Sequence, residues 1–126
     1  MENIKINFLH ICENAFFAED KKLNIIGIFQ LINANGFPAF HPQFSIAFNV
    51  VGEIYGKGKK IEIISPNGVS IVSSEMENLR LEDKPEANLV VNFVGVVFPE
   101  PGAYKVIFKV DDKTISSDRQ DFITVK

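Results

Sequence analysis

"PEPGAYKV", residues 99–106, sets an acidic side chain, a glycine and a tyrosine at two-residue steps, as Glu100, Gly102 and Tyr104, just after a proline and where an apolar run begins. A step of two is the period of a strand, whose successive side chains point to opposite faces. The same period extends along the chain in both directions. In "FSIAFNVV", Phe44, Ile46, Phe48 and Val50 share one face, while Ser45, Ala47 and Asn49 share the other. β-branched and aromatic residues fill the remaining runs, and helical periodicity is weak. Strands are predicted over Ile4–Phe17, Leu23–Ile32, Phe44–Tyr55, Lys60–Ser65, Val69–Ser74, Asn88–Phe98, Ala103–Val110 and Thr114–Val125.

The breaks carry turn chemistry. "AEDKK" is a tight polar turn, "SPNG" at Ser65–Gly68 has the pattern of a type I turn, and "DDK" at Asp111–Lys113 reads as a hairpin. "SEMENLRLEDKPEAN" is the most polar connection, with room for one short strand at Leu79–Leu81. Glutamate, glycine and tyrosine at the spacing of Glu100, Gly102 and Tyr104 resemble the tyrosine corner of immunoglobulin-like sandwiches. There the hydroxyl bonds the backbone a few residues upstream and fixes the crossing between sheets. Val106 stands where antibody domains have cysteine, and the chain has no tryptophan, so the disulfide and tryptophan of those domains are not expected. The predicted fold is all-β: one domain over residues 1–126, a two-sheet antiparallel sandwich with an immunoglobulin-like Greek key of about seven or eight strands.

Composition narrows the function. A chain of 126 residues with 46% hydrophobic and 23% charged side chains can bury a core without staples. The net charge of −3 provides no drive toward nucleic acid or anionic lipid, and the short Lys57-Gly58-Lys59-Lys60 cluster reads as a solvated loop. The one cysteine, Cys12, cannot form an internal disulfide. Lys5, Asn7, His10 and Glu13 interrupt the apolar character of the first residues, so no signal peptide is expected there. No run approaches the roughly 20 apolar residues of a membrane helix. A cytoplasmic protein is expected.

No catalytic constellation emerges, nor any cofactor motif. His10, Cys12 and His41 could supply three zinc ligands, but their spacing matches no zinc pattern. Acidic pairs at turns, Glu19/Asp20, Glu82/Asp83, Asp111/Asp112 and Asp118/Asp121, read as solvated turn charges rather than a calcium site. Two runs break the in/out rule. "LNIIGIFQLI" offers Leu23, Ile25, Phe29 and Leu31 on one face but Ile26, Ile28 and Ile32 on the other. "NLVVNFVGVVF" offers Leu89, Val91, Phe93 and Val97 against Val90, Val94, Val96 and Phe98. Either both faces are covered, with Ile26, Ile28, Val94 and Val96 meeting a partner or second copy, or bulges at Gly27 and Gly95 switch the sides. In "NANGFPAFHPQF", residues 33–44, Phe37 and Phe40 are expected to plug the open end of the core. His41 is expected to face solvent, and it and Asn35 are the loop's candidate recognition groups.

Residues 15–53 resemble the N-terminal half of a family of small bacterial domains of unknown function. The likeness rests on Gly27-Ile28-Phe29 ending a strand, on Phe37-Pro38 and His41-Pro42 before Phe44, and on a closing Gly-x-Tyr strand from Gly102 with its hairpin. The resemblance implies a free-standing bacterial β-sandwich and carries no activity. The function expected is a non-catalytic interaction or structural module that binds a protein or a second copy of itself, with no nucleic acid or membrane partner. A small-ligand or carbohydrate binder and a carboxylate-based hydrolase are the alternatives.

Overall fold

Strand periodicity without helical periodicity should leave the backbone only sheets in which to satisfy its hydrogen bonds. A computed structural model describes residues 4–52, 58–75, 86–115 and 122–126, and every regular element among them is a strand. These are β1 (Lys5–Phe17), β2 (Leu23–Ile28), β3 (Leu31–Ile32), β4 (Ala39–Val51), β5 (Lys59–Ile64), β6 (Ser70–Glu75), β7 (Glu86–Phe98), β8 (Gly102–Val110), β9 (Lys113–Ile115) and β10 (Phe122–Val125). The strand expected at Leu79–Leu81, the end of the predicted Phe44–Tyr55 strand, Lys57 and the acidic pairs Glu82/Asp83 and Asp118/Asp121 lie outside the described residues.

One sheet runs β2-β1-β4-β7, antiparallel throughout. The other runs β3-β10-β8-β5-β6, with β9 also on β8 and β3 parallel to β10. The core lies between them. The predicted inward set of β4, Phe44, Ile46, Phe48 and Val50, is fully buried there with Tyr104, Phe108 and Val110 of β8. The Phe48 and Phe108 rings meet across the sheets at 5.1 Å. Full burial of a side chain of this size stabilises by about 1.5–3 kcal/mol, so this layer is the main source of stability.

The crossing from β7 to β8 is the predicted corner. The Tyr104 hydroxyl donates to the Glu100 carbonyl at 2.6 Å and accepts from the Glu100 N–H at 3.0 Å. Gly102 follows with φ +136°, and a Cβ there would lie 2.6 Å from Pro66 Cγ in the β5–β6 turn. That turn closes with the Gly68 N–H donating to the Ser65 carbonyl, and Asn67 donates to Glu100 Oε2. "SPNG" and "PEPGAY" are therefore parts of one corner.

Both doubly apolar runs are explained by chain direction. The Phe29 N–H bonds the Ile11 carbonyl in the first sheet, while the carbonyl of Gln30 accepts from Thr124 in the second. The run Leu23–Ile32 is thus two strands in two sheets. In β7, Leu89, Val91 and Phe93 point inward, and then Val96 and Phe98 do. The switch falls at Gly95, whose φ of +68° suits glycine. The pairs Gln43↔Val94 and His41↔Val96 keep one register, so β4 and β7 turn over together without an inserted residue.

This turning-over corrects three expectations. Val96 is a core residue, 4% exposed, and not part of an outer apolar face. Phe37 and Phe40 do not plug the core: they are 38% and 67% exposed. Strand β4 begins at Ala39, earlier than predicted, so Ala39 turns in and Phe40 turns out opposite Val97. His41 turns in as well and lies half-buried, its ring 5.8 Å from Phe29 and 5.7 Å from Phe44.

Removing the corner hydroxyl tests its role. Tyr104→Phe leaves two backbone groups of Glu100 without their partner and is expected to cost about 1–3 kcal/mol. Urea denaturation followed by circular dichroism measures it, and an unchanged midpoint would show that the corner holds without the hydroxyl.

Candidate functional site

The outer face of the β2-β1-β4-β7 sheet is built from small and amide side chains. Cys12 lies opposite Ser45, His10 opposite Ala47, and Ala47 opposite Val90. Asn7 donates to Asn49, which donates to Asn88, and Ser45 donates to Asn92, tying β1, β4 and β7 across their outer side. Ser45, Ala47 and Asn49, predicted to face away from the core, do so and are nevertheless buried. Cys12, Ala15 and Ala47 form a small second apolar cluster with Leu23, Ile25 and Val90. The alternation of small residues along "FSIAFNVV" was its only sequence signal.

Burial raises the Cys12 thiol above its ordinary pKa, against an opposing backbone hydrogen bond from Asn14. The thiol donates to the Ser45 carbonyl. It is an unreactive structural cysteine by this setting. The three residues weighed as zinc ligands are not brought together, because His41 turns inward to Phe29 and Phe44 while His10 and Cys12 line the outer face.

The apolar surface left open lies chiefly on the β1–β2 hairpin. Ile26 and Ile28 are 51% and 56% exposed, and Phe16 and Phe17 of β1 are exposed beside them. Cys12 pairs with Ile28, Asn14 with Ile26, and Phe16 with Asn24, so Ile28, Ile26 and Phe16 lie along one hairpin, while Phe17 pairs with Leu23. Val94 is 79% exposed on β7, the far edge of the same sheet. Asn35 is exposed and lines an open groove of about 540 Å³ formed by Ile32–His41, which Phe37 and Phe40 also border. Phe16 and Phe17 escaped the sequence reading, since their run looked like an ordinary half-buried strand.

Charged groups gather elsewhere. A cleft of about 230 Å³ is lined by Lys59, Lys60, Lys109, Glu75, Asp111 and Asp112. Asp111 and Asp112 adopt positive φ in the β8–β9 turn, and Asp111 accepts from the Gly58 N–H at 2.9 Å. Burial lowers the pKa of Lys59, opposed by the charge of Asp111. Glu62 meets Lys109 at 3.0 Å. Hydrogen bonds from Lys109 and then Ser70 hold its carboxyl below the ordinary glutamate range, against burial. Asp111 and Glu62 are thus engaged by a backbone N–H and by a lysine.

A two-sheet open sandwich whose chain crosses between sheets through a tyrosine corner, with the short third strand β3 parallel to the last one, is an immunoglobulin-like domain. The chain belongs to the family of unknown function DUF6941, which matches residues 7–119. A crystal structure described as an immunoglobulin-like protein from Pseudomonas aeruginosa is similar, with 14% sequence identity over 98% of this chain and 97% of that one, at a TM-score of 0.47. No curated protein matches the chain.

Two measurements follow from these positions. Phe40→Ala is expected to shift stability by no more than about 0.5–1 kcal/mol because its ring is already in water, whereas Phe44→Ala should cost about 3–5 kcal/mol. Paired denaturation curves compare them. Glu62, with its lowered folded pKa, contributes stability above its unfolded pKa of about 4.3, and that contribution is lost as the pH falls through the folded value. Glu62→Gln should therefore flatten the acid limb of a stability–pH profile.

Proposed function

We propose that this domain is a non-catalytic protein-interaction module of the bacterial cytoplasm that binds through the apolar β1–β2 hairpin. The observation that supports this is the exposure of Ile26 and Ile28 beside Phe16 and Phe17 on a single ribbon. Scattered exposed apolar residues are ordinary, but four large ones gathered on one short hairpin mark an element that gains by being covered. Covering each such side chain fully is worth about 1.5–3 kcal/mol in burial, before the cost of association. The mild negative charge argues for protein rather than nucleic acid as the partner. Small-ligand or carbohydrate binding is a second reading, supported by the groove that Phe37 and Phe40 border with exposed rings.

The experiment compares the wild type with the double variant Ile26→Ser/Ile28→Ser, both checked for equal melting. The wild type should self-associate in sedimentation, or retain a protein on an affinity support, and the variant should do neither. Two monomers that retain the same proteins would refute the interaction reading. A thermal shift with one member of a glycan panel, lost in Phe40→Ala, would replace it with the second.

A further inference from the structure

Asparagine is followed by glycine twice in this chain, at Asn35-Gly36 and at Asn67-Gly68. The backbone nitrogen after an asparagine is placed to attack the side-chain amide carbon and close a succinimide ring. Glycine, with no Cβ, leaves that nitrogen unhindered and its backbone free to turn. Both asparagines are exposed, so exposure does not distinguish them. Their hydrogen bonds do. The Asn67 amide donates to Glu100 Oε2 at 2.8 Å, and the Gly68 N–H donates to the Ser65 carbonyl at 2.9 Å. Leaving group and nucleophile are both held in the β5–β6 turn, against a glutamate whose backbone is fixed by Tyr104. Asn35 and Gly36 lie between β3 and β4, and neither has a hydrogen bond among the described residues. A Cβ at Gly36 would meet nothing within 4 Å, so the space beside the attacking nitrogen is open.

From this contrast we infer that Asn35 is a self-modification site of the folded protein, and that Asn67 is protected. The Gly36 nitrogen gives up its proton and attacks Asn35 Cγ. A bond forms between them, the bond from Cγ to the side-chain nitrogen breaks, and that nitrogen takes up a proton and leaves as ammonia. Water then opens the succinimide at one of its two carbonyls. One opening gives aspartate; the other gives isoaspartate, in which the main chain runs through the former side chain. Either product has a carboxylate where a neutral amide stood. Asn35 lines the groove formed by Ile32–His41, which has no acidic, lysine or arginine side chain among its lining residues. The reaction therefore gives that groove a negative charge, and the iso form also lengthens the chain leading into β4. The chemistry belongs to the loop itself and does not depend on what the β1–β2 hairpin binds.

Peptide mapping by mass spectrometry tests it, on the full chain held folded in mildly alkaline buffer and sampled over time. The peptide carrying Asn35 should gain the mass difference between an amide and an acid and separate into aspartate and isoaspartate forms. The iso form should accept a methyl group from S-adenosylmethionine through an isoaspartyl methyltransferase. The Asn67 peptide should change more slowly, on the order of tenfold or more, because its reaction waits for the turn to open. In urea, where neither site is held, both should react at comparable rates. Gly36→Ala meets no neighbour and replaces a glycine without positive φ, so it should melt with the wild type. It should nevertheless slow the reaction at Asn35 on the order of tenfold, because the methyl group crowds the attacking nitrogen. Equal rates at the two sites in the folded protein would overturn the inference. So would an Asn35 that reacts only in urea, or a Gly36→Ala rate equal to that of the wild type.

Discussion

The Tyr104 hydroxyl, held between the N–H and the C=O of Glu100, is the contact on which the sandwich depends. It closes the short crossing that takes the chain from β7 in one sheet to β8 in the other. Burial raises the phenol pKa, partly offset by the backbone bond to Glu100, so the hydroxyl keeps the proton it donates. The ring stands edge-on to Phe98 at 4.9 Å, placing the last inward residue of β7 against the first large one of β8. Pro66 packs where any side chain at residue 102 would sit, so the β5–β6 turn is fitted to the same corner. A phenol this deep without a partner would favour unfolding, and its partners are supplied by backbone four residues away.

That locality is why the corner was legible in the sequence. Glu100, Gly102 and Tyr104 interact with their own neighbourhood, and the two-residue spacing states the geometry. The inward set of β4 was legible for a similar reason, since alternation needs only the strand's own period. What was not legible depends on where a strand begins or turns over. Phe37 and Phe40 look like core residues by type, yet the start of β4 at Ala39 sends Phe40 outward. Val96 looked like an outer residue because period two was carried through Gly95, where the chain switches faces. In "LNIIGIFQLI" the change of sheet occurs between Phe29 and Gln30, with no proline or glycine between them to announce it.

The same lesson applies to the candidate surface. Ile26 and Ile28 were singled out from the mismatch between an apolar run and a sheet with one wet face, and both are exposed. Phe16 and Phe17 were missed because their exposure follows from the hairpin leaving β4: the β1–β4 pairing ends at Cys12↔Ser45, while β1 continues to Phe17. Beyond that pair β1 has β2 alone beside it among the described strands. Its side chains lose the neighbour that buries Leu9 and Ile11.

The projecting hairpin is also energetically separate from the corner. Leu23 and Ile25 pack on the small outer cluster of Cys12, Ala15 and Ala47, not on the main core. Change at β2 therefore reaches the core through β1 and this small outer cluster, and local stability is set by the contacts a segment makes. Gly27 sharpens this separation. Its φ of +70° turns the strand, and its lack of a side chain lets the Glu13 side chain lie across it. A larger residue there would both strain the backbone and displace the carboxylate. The one position in β2 that cannot hold a side chain is thus the position where a charged side chain of β1 crosses an otherwise uncharged strand.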